Sequence, residues 1–341
     1  MSRIFVAGLG AVSPAGWTVS AMRQALDAGT PLPGQPLDQH RHKPLLARLV
    51  PNPPSRPEFL SHPRLRRASA ITHYTAAAAL EAAAPVWSAC PDVRFGLIVC
   101  LQSGCVQYSS RFYDETLKNP ATASPLLFPE TVYAAPASHV AALLKNVPLV
   151  NSLVGDPSSF LQGLSQAAQW LDGDHLDACL VIGAEEVHWI TGDALWHLDH
   201  AAAISAGAGA VCLCRDAKLS LGVELAAITD AHTYAGKTGR TAAARAMREQ
   251  LAPASGRGGG ELLCDGLGSG WRANAPERAA WADWTGPRLS PKLVLGEGLM
   301  AGAAWQCVAA CDALAERRFA AANVSLVGFN QQAVGARFER V

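Results

Sequence analysis

The chain carries little charge and no net charge. Only 16% of its 341 residues are Asp, Glu, Lys or Arg, and 28 basic residues balance 28 acidic ones. No global field therefore favours nucleic acid or an anionic membrane. There is no apolar run long enough to span a bilayer. The opening Met1-Ser-Arg-Ile-Phe-Val reads as a strand running into a turn, not as a leader peptide. Matched CxxC pairs are missing as well. The nine cysteines, Cys90, Cys100, Cys105, Cys179, Cys212, Cys214, Cys264, Cys307 and Cys311, are scattered among apolar segments. That pattern argues against a zinc or disulfide framework and for reduced core thiols in a cytoplasmic protein. Gly8-Leu-Gly10 lacks the full dinucleotide fingerprint. The glycine-rich stretch at 255–260 lacks the Lys-Ser/Thr of a phosphate cradle. His188, His197 and His200 have spacing compatible with a metal site, but no helix or hairpin pattern gathers them. No cofactor and no metal is expected.

Apolar residues are what the chain has in excess: half of it is hydrophobic. That exceeds an average soluble domain and implies much buried surface, a subunit interface included. The length allows one large domain or two fused halves. Strand-like apolar runs alternate with Ala-rich helical runs, which is the α/β signature. Strands are expected at Ile4–Val12, Phe95–Leu101, Leu149–Val154, Asp177–Ile182 and Gly209–Cys214. Helices are expected at Thr18–Ala28, with Thr18 as N-cap, and at Arg66–Ala84, Gln107–Lys118, Pro136–Leu144 and Ser158–Leu171. The series then restarts. Leu219–Ile228, Glu261–Cys264, Lys292–Leu295, Val324–Val327 and Ala336–Arg340 read as strands, and Arg240–Leu251 and Gly298–Arg317 as helices. Two strand–helix series of similar order suggest an internal duplication, divided as residues 1–216 and 217–341 of one compact unit. A proline-rich excursion occupies Pro31–His62.

Several segments, taken together, resemble the β-ketoacyl-ACP synthase family. They are Val6-Ala-Gly-Leu-Gly-Ala-Val-Ser-Pro-Ala-Gly16, Ser124-Pro-Leu-Leu-Phe128, Leu171–Glu185, Ser205-Ala-Gly-Ala-Gly-Ala-Val211, Ser290-Pro-Lys292-Leu-Val-Leu-Gly296 and Val327-Gly-Phe329. They follow the family's order and cover nearly the whole chain. The resemblance implies a thiolase-like, duplicated, five-layered α/β/α/β/α fold.

The departures from the family fall on its chemistry. The run Pro148-Leu-Val-Asn-Ser-Leu-Val-Gly-Asp156-Pro-Ser-Ser-Phe puts an aspartate at the strand–turn–helix position of the nucleophilic Cys. The two family His positions fall on Asp265, in Cys264-Asp-Gly-Leu-Gly268, and on Glu297, in Gly296-Glu-Gly298. Lys292 is kept, and the loop after Phe329 is not a run of glycines. A condensing enzyme needs a thiolate to hold the acyl chain and two His to stabilise enolate and oxyanion. Three carboxylates would repel an enolate and raise one another's pKa values, with Lys292 able to pair with one of them. Asp156 also reads as an ordinary N-cap, followed by Pro157 at the first helical position. Cys105 lies in a turn past a strand, and His139 lies on an Ala-rich helical face; neither is expected to be catalytic.

The resemblance therefore implies a non-catalytic ketosynthase homologue, similar to a chain-length factor, in fatty acid or polyketide biosynthesis, aryl polyenes included. Its partners would be an active ketosynthase, in a heterodimer, and an acyl carrier protein, with no nucleic acid or membrane. The alternative is an acyl-ACP-acting enzyme, 3-oxoacyl-ACP synthase-like, a decarboxylase or a proton-transfer catalyst, using Asp156, Asp265 and Glu297. The resembled family places the Leu149–Val154 strand at its two-fold interface, so Leu149, Val150, Leu153 and Val154 are candidate interface residues. Phe112, Tyr113 and Leu117 are candidate stops of the acyl tunnel, alongside Phe329.

Overall fold

The computed structural model describes residues 2–37, 45–173, 175–251, 260–329 and 331–341. Residues 255–259 of the glycine-rich linker, 38–44 of the proline-rich excursion, Asp174 and Asn330 lie outside the described residues.

The first half contains β1 (Phe5–Val12), β2 (Gln35–Pro36), β3 (Leu46–Arg48), β4 (Phe95–Leu101), β5 (Leu149–Val154), β6 (Ala178–Glu185), β7 (Ile204–Ser205) and β8 (Gly207–Cys214). Its helices are α1 (Val19–Ala28), α2 (Ala70–Ala89), α3 (Val106–Lys118), α4 (Ala135–Leu144), α5 (Ser159–Asp172) and α6 (Trp189–Leu198). The second half contains β9 (Val223–Ile228), β10 (His232–Thr233), β11 (Glu261–Cys264), β12 (Arg288–Leu289), β13 (Ala321–Val327) and β14 (Gln332–Arg340). Its helices are α7 (Gly236–Leu251), α8 (Trp271–Ala280), α9 (Pro291–Leu295) and α10 (Leu299–Ala315).

The duplication is written in the strand order. The first half runs β5-β4-β6-β8-β1 and the second β12-β11-β13-β14-β9. In chain order both read third, second, fourth, fifth, first. In both, the first three spatial neighbours are parallel and the last two pairings antiparallel. The halves join at a bridge between Phe5 and Glu224.

Alternation along each strand builds the layers. In β4, Phe95, Leu97, Val99 and Leu101 face the core beneath α2 and α4, while Ile98 and Cys100 face the core shared with α5 and α10. That second core also takes residues of β11, β13 and β14. The second half's outer face packs on α7 and α8. The result is the five-layered α/β/α/β/α arrangement. Lying between the two halves of the sheet, α10 is buried from Leu299 to Leu314. An all-round apolar helix suits that central position. Its Trp305 donates to the carbonyls of Val12 and Ala208, each at 3.0 Å.

Contact between α2 and β1 is made by backbone. A Cβ at Gly8 would sit 1.9 Å from the Ala82 carbonyl oxygen, and one at Gly10 2.0 Å from that of Ala78. No side chain larger than hydrogen fits at either position.

Some expectations change. Lys292–Leu295 is not a strand: Ser290-Pro291 opens α9, with Pro at the first position, where it suits a helix. Helix α2 begins at Ala70, after a 3-10 turn at Pro63–Leu65, and continues through Pro85 to Ala89. Helices α6 and α8 are additions to the expected series. Thr18 caps α1 as expected, accepting from the Ala21 amide. No described helix is long and apolar enough to cross a membrane.

Candidate functional site

Strand β5 ends at Val154 and the chain turns sharply before α5. Asp156, 6% exposed, sits in that turn. Its Oδ1 accepts from the Ser158 amide at 3.1 Å and the Ser158 hydroxyl at 2.9 Å. This corrects the expected cap. Helix α5 starts at Ser159 with Ser158 as its N-cap residue, so Asp156 and Pro157 both precede the helix. The carboxylate stiffens the approach to the helix instead of closing its first turn. Both its oxygens crowd Gly328, where a Cβ would lie 2.0 Å from each. Gly328 is held on its other side by the Tyr234 hydroxyl, which donates to its carbonyl.

Asp265 follows β11 and is fully buried. It accepts from Arg288 Nη1 at 3.2 Å, from the Ser290 hydroxyl and from the Leu267 amide at 3.3 Å. Burial pushes its carboxyl above the ordinary carboxylate range. Glu297 lies between α9 and α10. It accepts from Lys292 Nζ at 2.8 Å and from the Leu299 amide at 2.9 Å. Lys292 thus pairs with Glu297, in a bridge whose side chains are 10% and 9% exposed.

A fourth carboxylate, not anticipated from the sequence, completes the cluster. Glu277 on α8 is 4% exposed. Its Oε1 accepts from the Ser325 hydroxyl and from the Gly266 amide at 3.1 Å. Burial, reinforced by neighbouring Asp265, pushes its carboxyl up to about 7. Charge crowding therefore links Asp265 to Glu277. Nothing in the sequence around Ala275-Pro-Glu277-Arg278 separates this residue from a solvent-facing helix carboxylate.

Two cavities flank Phe329. One, of about 20 Å³, is lined by Asp199, Arg240, Glu277, Lys292 and Glu297 among others. It has room for about one water. The other, of about 160 Å³, is lined by Gln102, Val154, Gly155, Asp156, Phe329 and Gln331 and lies at the free edge of β5. Phe329 borders both. Its ring lies 5.7 Å from Lys292 Nζ and 5.8 Å from the Arg240 guanidinium, a geometry that holds the ring by cation–π attraction. Asp156 and the Lys292–Glu297 pair thus line different cavities, and Asp265 lines neither.

The interface candidates Leu149, Val150, Leu153 and Val154 lie on β5. Strand β5 is the outermost strand of the first half. Leu149, Val150 and Val154 are 38%, 46% and 54% exposed, and Leu153 is partly buried. The tunnel candidates lie on the surface of this chain. Helix α3 buries no residue. Phe112 is half-buried with its ring 5.4 Å from that of Phe128, while Tyr113 and Leu117 are exposed. Leu126, Phe128, Val132 and Tyr133 extend this exposed apolar surface. The Tyr133 hydroxyl reaches the Gln102 carbonyl at 3.5 Å, and Gln102 shares the larger cavity with Val154. Through Gln102, Tyr133 thus adjoins the cavity at the end of β5.

The remaining candidates have structural partners. Cys105 is 2% exposed, and burial pushes its thiol up to about 12, far from a nucleophile's range. His139 pairs with Glu130 at 2.9 Å. His188 caps α6, a helix the sequence did not announce. No cluster of three or more His, Cys, Asp or Glu side chains able to hold a metal occurs among the described residues.

No family model matches the sequence, and no curated protein matches it. Solved structures do. A β-ketoacyl synthase from Burkholderia phymatum STM815 superposes with a TM-score of 0.84 at 17% identity, with 100% of each chain covered. A ketosynthase in complex with its chain length factor from Xenorhabdus doucetiae gives 0.80 at 14% identity, over 100% of this chain and 98% of that one. A type II polyketide synthase acyl-carrier protein in complex with its ketosynthase gives 0.79 at 14% identity, over 100% and 99%. The chain has the thiolase-like fold of the ketosynthases and chain length factors.

Proposed function

We propose that this chain is a non-condensing ketosynthase homologue that acts as a chain-length-factor-like subunit. It pairs with a Cys-bearing ketosynthase and bounds the space into which an acyl chain held by an acyl carrier protein grows, in polyketide or fatty acid assembly. The observation that carries the reading is that each of the three substituted positions is tied to partners of its own. Asp156 is tied to Ser158 and pressed on Gly328. Asp265 is buried against Arg288 and Ser290. Glu297 is paired with Lys292. Neither of the two cavities described is lined by all three, and the space beside Lys292 holds about one water. That arrangement supports a scaffold over the carboxylate enzyme that is its alternative.

The free edge of β5 supports the pairing. An exposed apolar edge strand is a template for another strand, and monomeric proteins blunt such edges. Here Leu149, Val150 and Val154 leave it bare, and the apolar surface of α3 and Phe128 continues it. In the heterodimer this surface is covered, and α3 reaches the partner's acyl pocket. Co-expression with a Cys-bearing ketosynthase tests the proposal. The two chains co-purify, and Val150→Lys separates them while this chain stays folded by circular dichroism. A chain that stays alone beside every ketosynthase offered, or that condenses malonyl-ACP unaided, removes the proposal.

A further inference from the structure

Gln306, on the central helix α10, is fully buried. Its amide nitrogen donates to the Ser325 carbonyl at 3.1 Å and the Cys264 carbonyl at 3.5 Å. Those two bonds fix the orientation of the amide, since a flipped group would set oxygen against oxygen. Its Oε1 then points inward and has no hydrogen-bond donor among the described residues. A buried acceptor without a donor is costly, so a donor is called for.

Glu277 is placed to be that donor. Its Oε1 receives both bonds that reach the carboxyl group, from Ser325 and from Gly266. The Ser325 hydroxyl is itself oriented by Trp281 Nε1, which donates to it at 3.1 Å and leaves the hydroxyl proton for Glu277. Oε1 thus has the role of a carbonyl oxygen, and Oε2 receives no bond among the described residues. Glu277 Oε2 and Gln306 Oε1 crowd one point: they lie 3.2 Å and 3.6 Å from where a Cβ of Gly266 would be. Two acceptors drawn to one point are reconciled by a proton on one of them.

The geometry points to Glu277 as a neutral carboxylic acid in the folded protein, its Oε2–H given to Gln306 Oε1, acting as a proton-dependent latch on the Lys292–Glu297 cluster. The charged groups facing it fit that assignment. Asp265 from the end of β11 disfavours a second anion, Lys292 from α9 favours one, and the Cys264 thiol is neutral. Lys292 is already committed to Glu297, and Arg288 on β12 to Asp265. Burial raises the Glu277 carboxyl for the same reasons. Losing the proton sets a second carboxylate competing for Lys292, the residue that holds both Glu297 and the face of Phe329. The latch is independent of the role proposed above: it concerns the chain alone, with or without a partner.

Infrared difference spectroscopy of the full chain between pH 5.5 and pH 9 reads the proton directly. A protonated-carboxyl stretch present at the acid end is expected to be missing in Glu277→Gln and shifted in Gln306→Met, which removes the acceptor. Glu185 and Glu186 add carboxyl bands of their own, common to all three proteins. In Glu277→Gln the amide donates to Gln306 in place of the acid, so the ratio of unfolding constants, wild type over variant, rises about 30-fold across that range. Identical carboxyl bands in wild type and Glu277→Gln, or parallel pH curves, overturn the assignment. If Glu277→Gln does not fold, the Gln306→Met spectrum decides alone: an unshifted carboxyl band overturns it.

Discussion

Restoring the thiol by Asp156→Cys separates a lost nucleophile from a lost active site. The substitution removes the bonds from the Ser158 amide and hydroxyl at 3.1 and 2.9 Å. Their loss costs about 1–2 kcal/mol, comparable to losing a helix cap, so the chain is expected to fold. The new thiol would sit at the approach to α5, where the helix N-terminus favours a thiolate. Acylation by an acyl-ACP is therefore expected to be visible by mass spectrometry. Condensation is not. Two donors are missing where negative charge develops, and each such donor is worth roughly 10²–10³ in rate. By the resemblance, Asp265 and Glu297 stand in their places, held by Arg288 and Lys292, and Phe329 borders both the cavity beside residue 156 and that beside Lys292. The variant should run roughly 10⁴-fold or more below a Cys-bearing ketosynthase. Product formation from malonyl-ACP and a loaded primer, followed by chromatography, measures it. Turnover within tenfold of an ordinary condensing enzyme would show that the surrounding groups still work and that only the nucleophile had been lost.

Three other outcomes are expected. Phe112→Ala, in a heterodimer that still co-purifies, should lengthen the acyl products; unchanged product length on chromatography removes Phe112 from the gate. Arg288→Ala strips the cation from fully buried Asp265 and should destabilise the chain by about 3 kcal/mol, read as a lower denaturant midpoint; a midpoint unchanged within error means that Ser290 and Leu267 suffice. Burial holds Glu185 at about 8 and Glu186 at about 7. Both folded values are raised, so their contribution is complete below the unfolded value near 4.5 and is lost as pH rises through 7 to 8. The denaturant midpoint should therefore fall between pH 5.5 and pH 9, less steeply in Glu186→Gln, and a flat wild-type curve contradicts the burial argument.

Much of the fold is legible in the chain because its strands are buried on both faces. A run such as Phe95-Gly-Leu-Ile-Val-Cys-Leu101 has no other use in a soluble α/β protein. The helices were harder. Pro85 suggested an end to α2 that the structure does not observe, because the helix is packed on β1 over most of its length. Ser290-Pro-Lys-Leu-Val-Leu295 looks like a short strand by composition, and a proline at the first helical position decides otherwise. At the site, Asp156, Asp265 and Glu297 were singled out by the resemblance. Apart from Lys292, their partners were not. Arg288, Ser290 and Glu277 meet Asp265 through tertiary packing of β12, α9 and α8, and no local pattern marks a buried ion pair. Helix α6 escaped notice because aromatic and histidine residues interrupt its apolar stripe.

The contact of β1 with α2 has a mechanical consequence. At Gly8 and Gly10 the helix's carbonyl oxygens rest on bare backbone, so the spacing of helix and sheet is set by peptide units, which cannot change rotamer. A joint of that kind has almost no compliance. Strand β1 is joined through β8, β6 and β4 to the free strand β5. Whatever β5 and its neighbouring cavity present to another molecule, they present at a fixed depth, as a mould does and a spring does not.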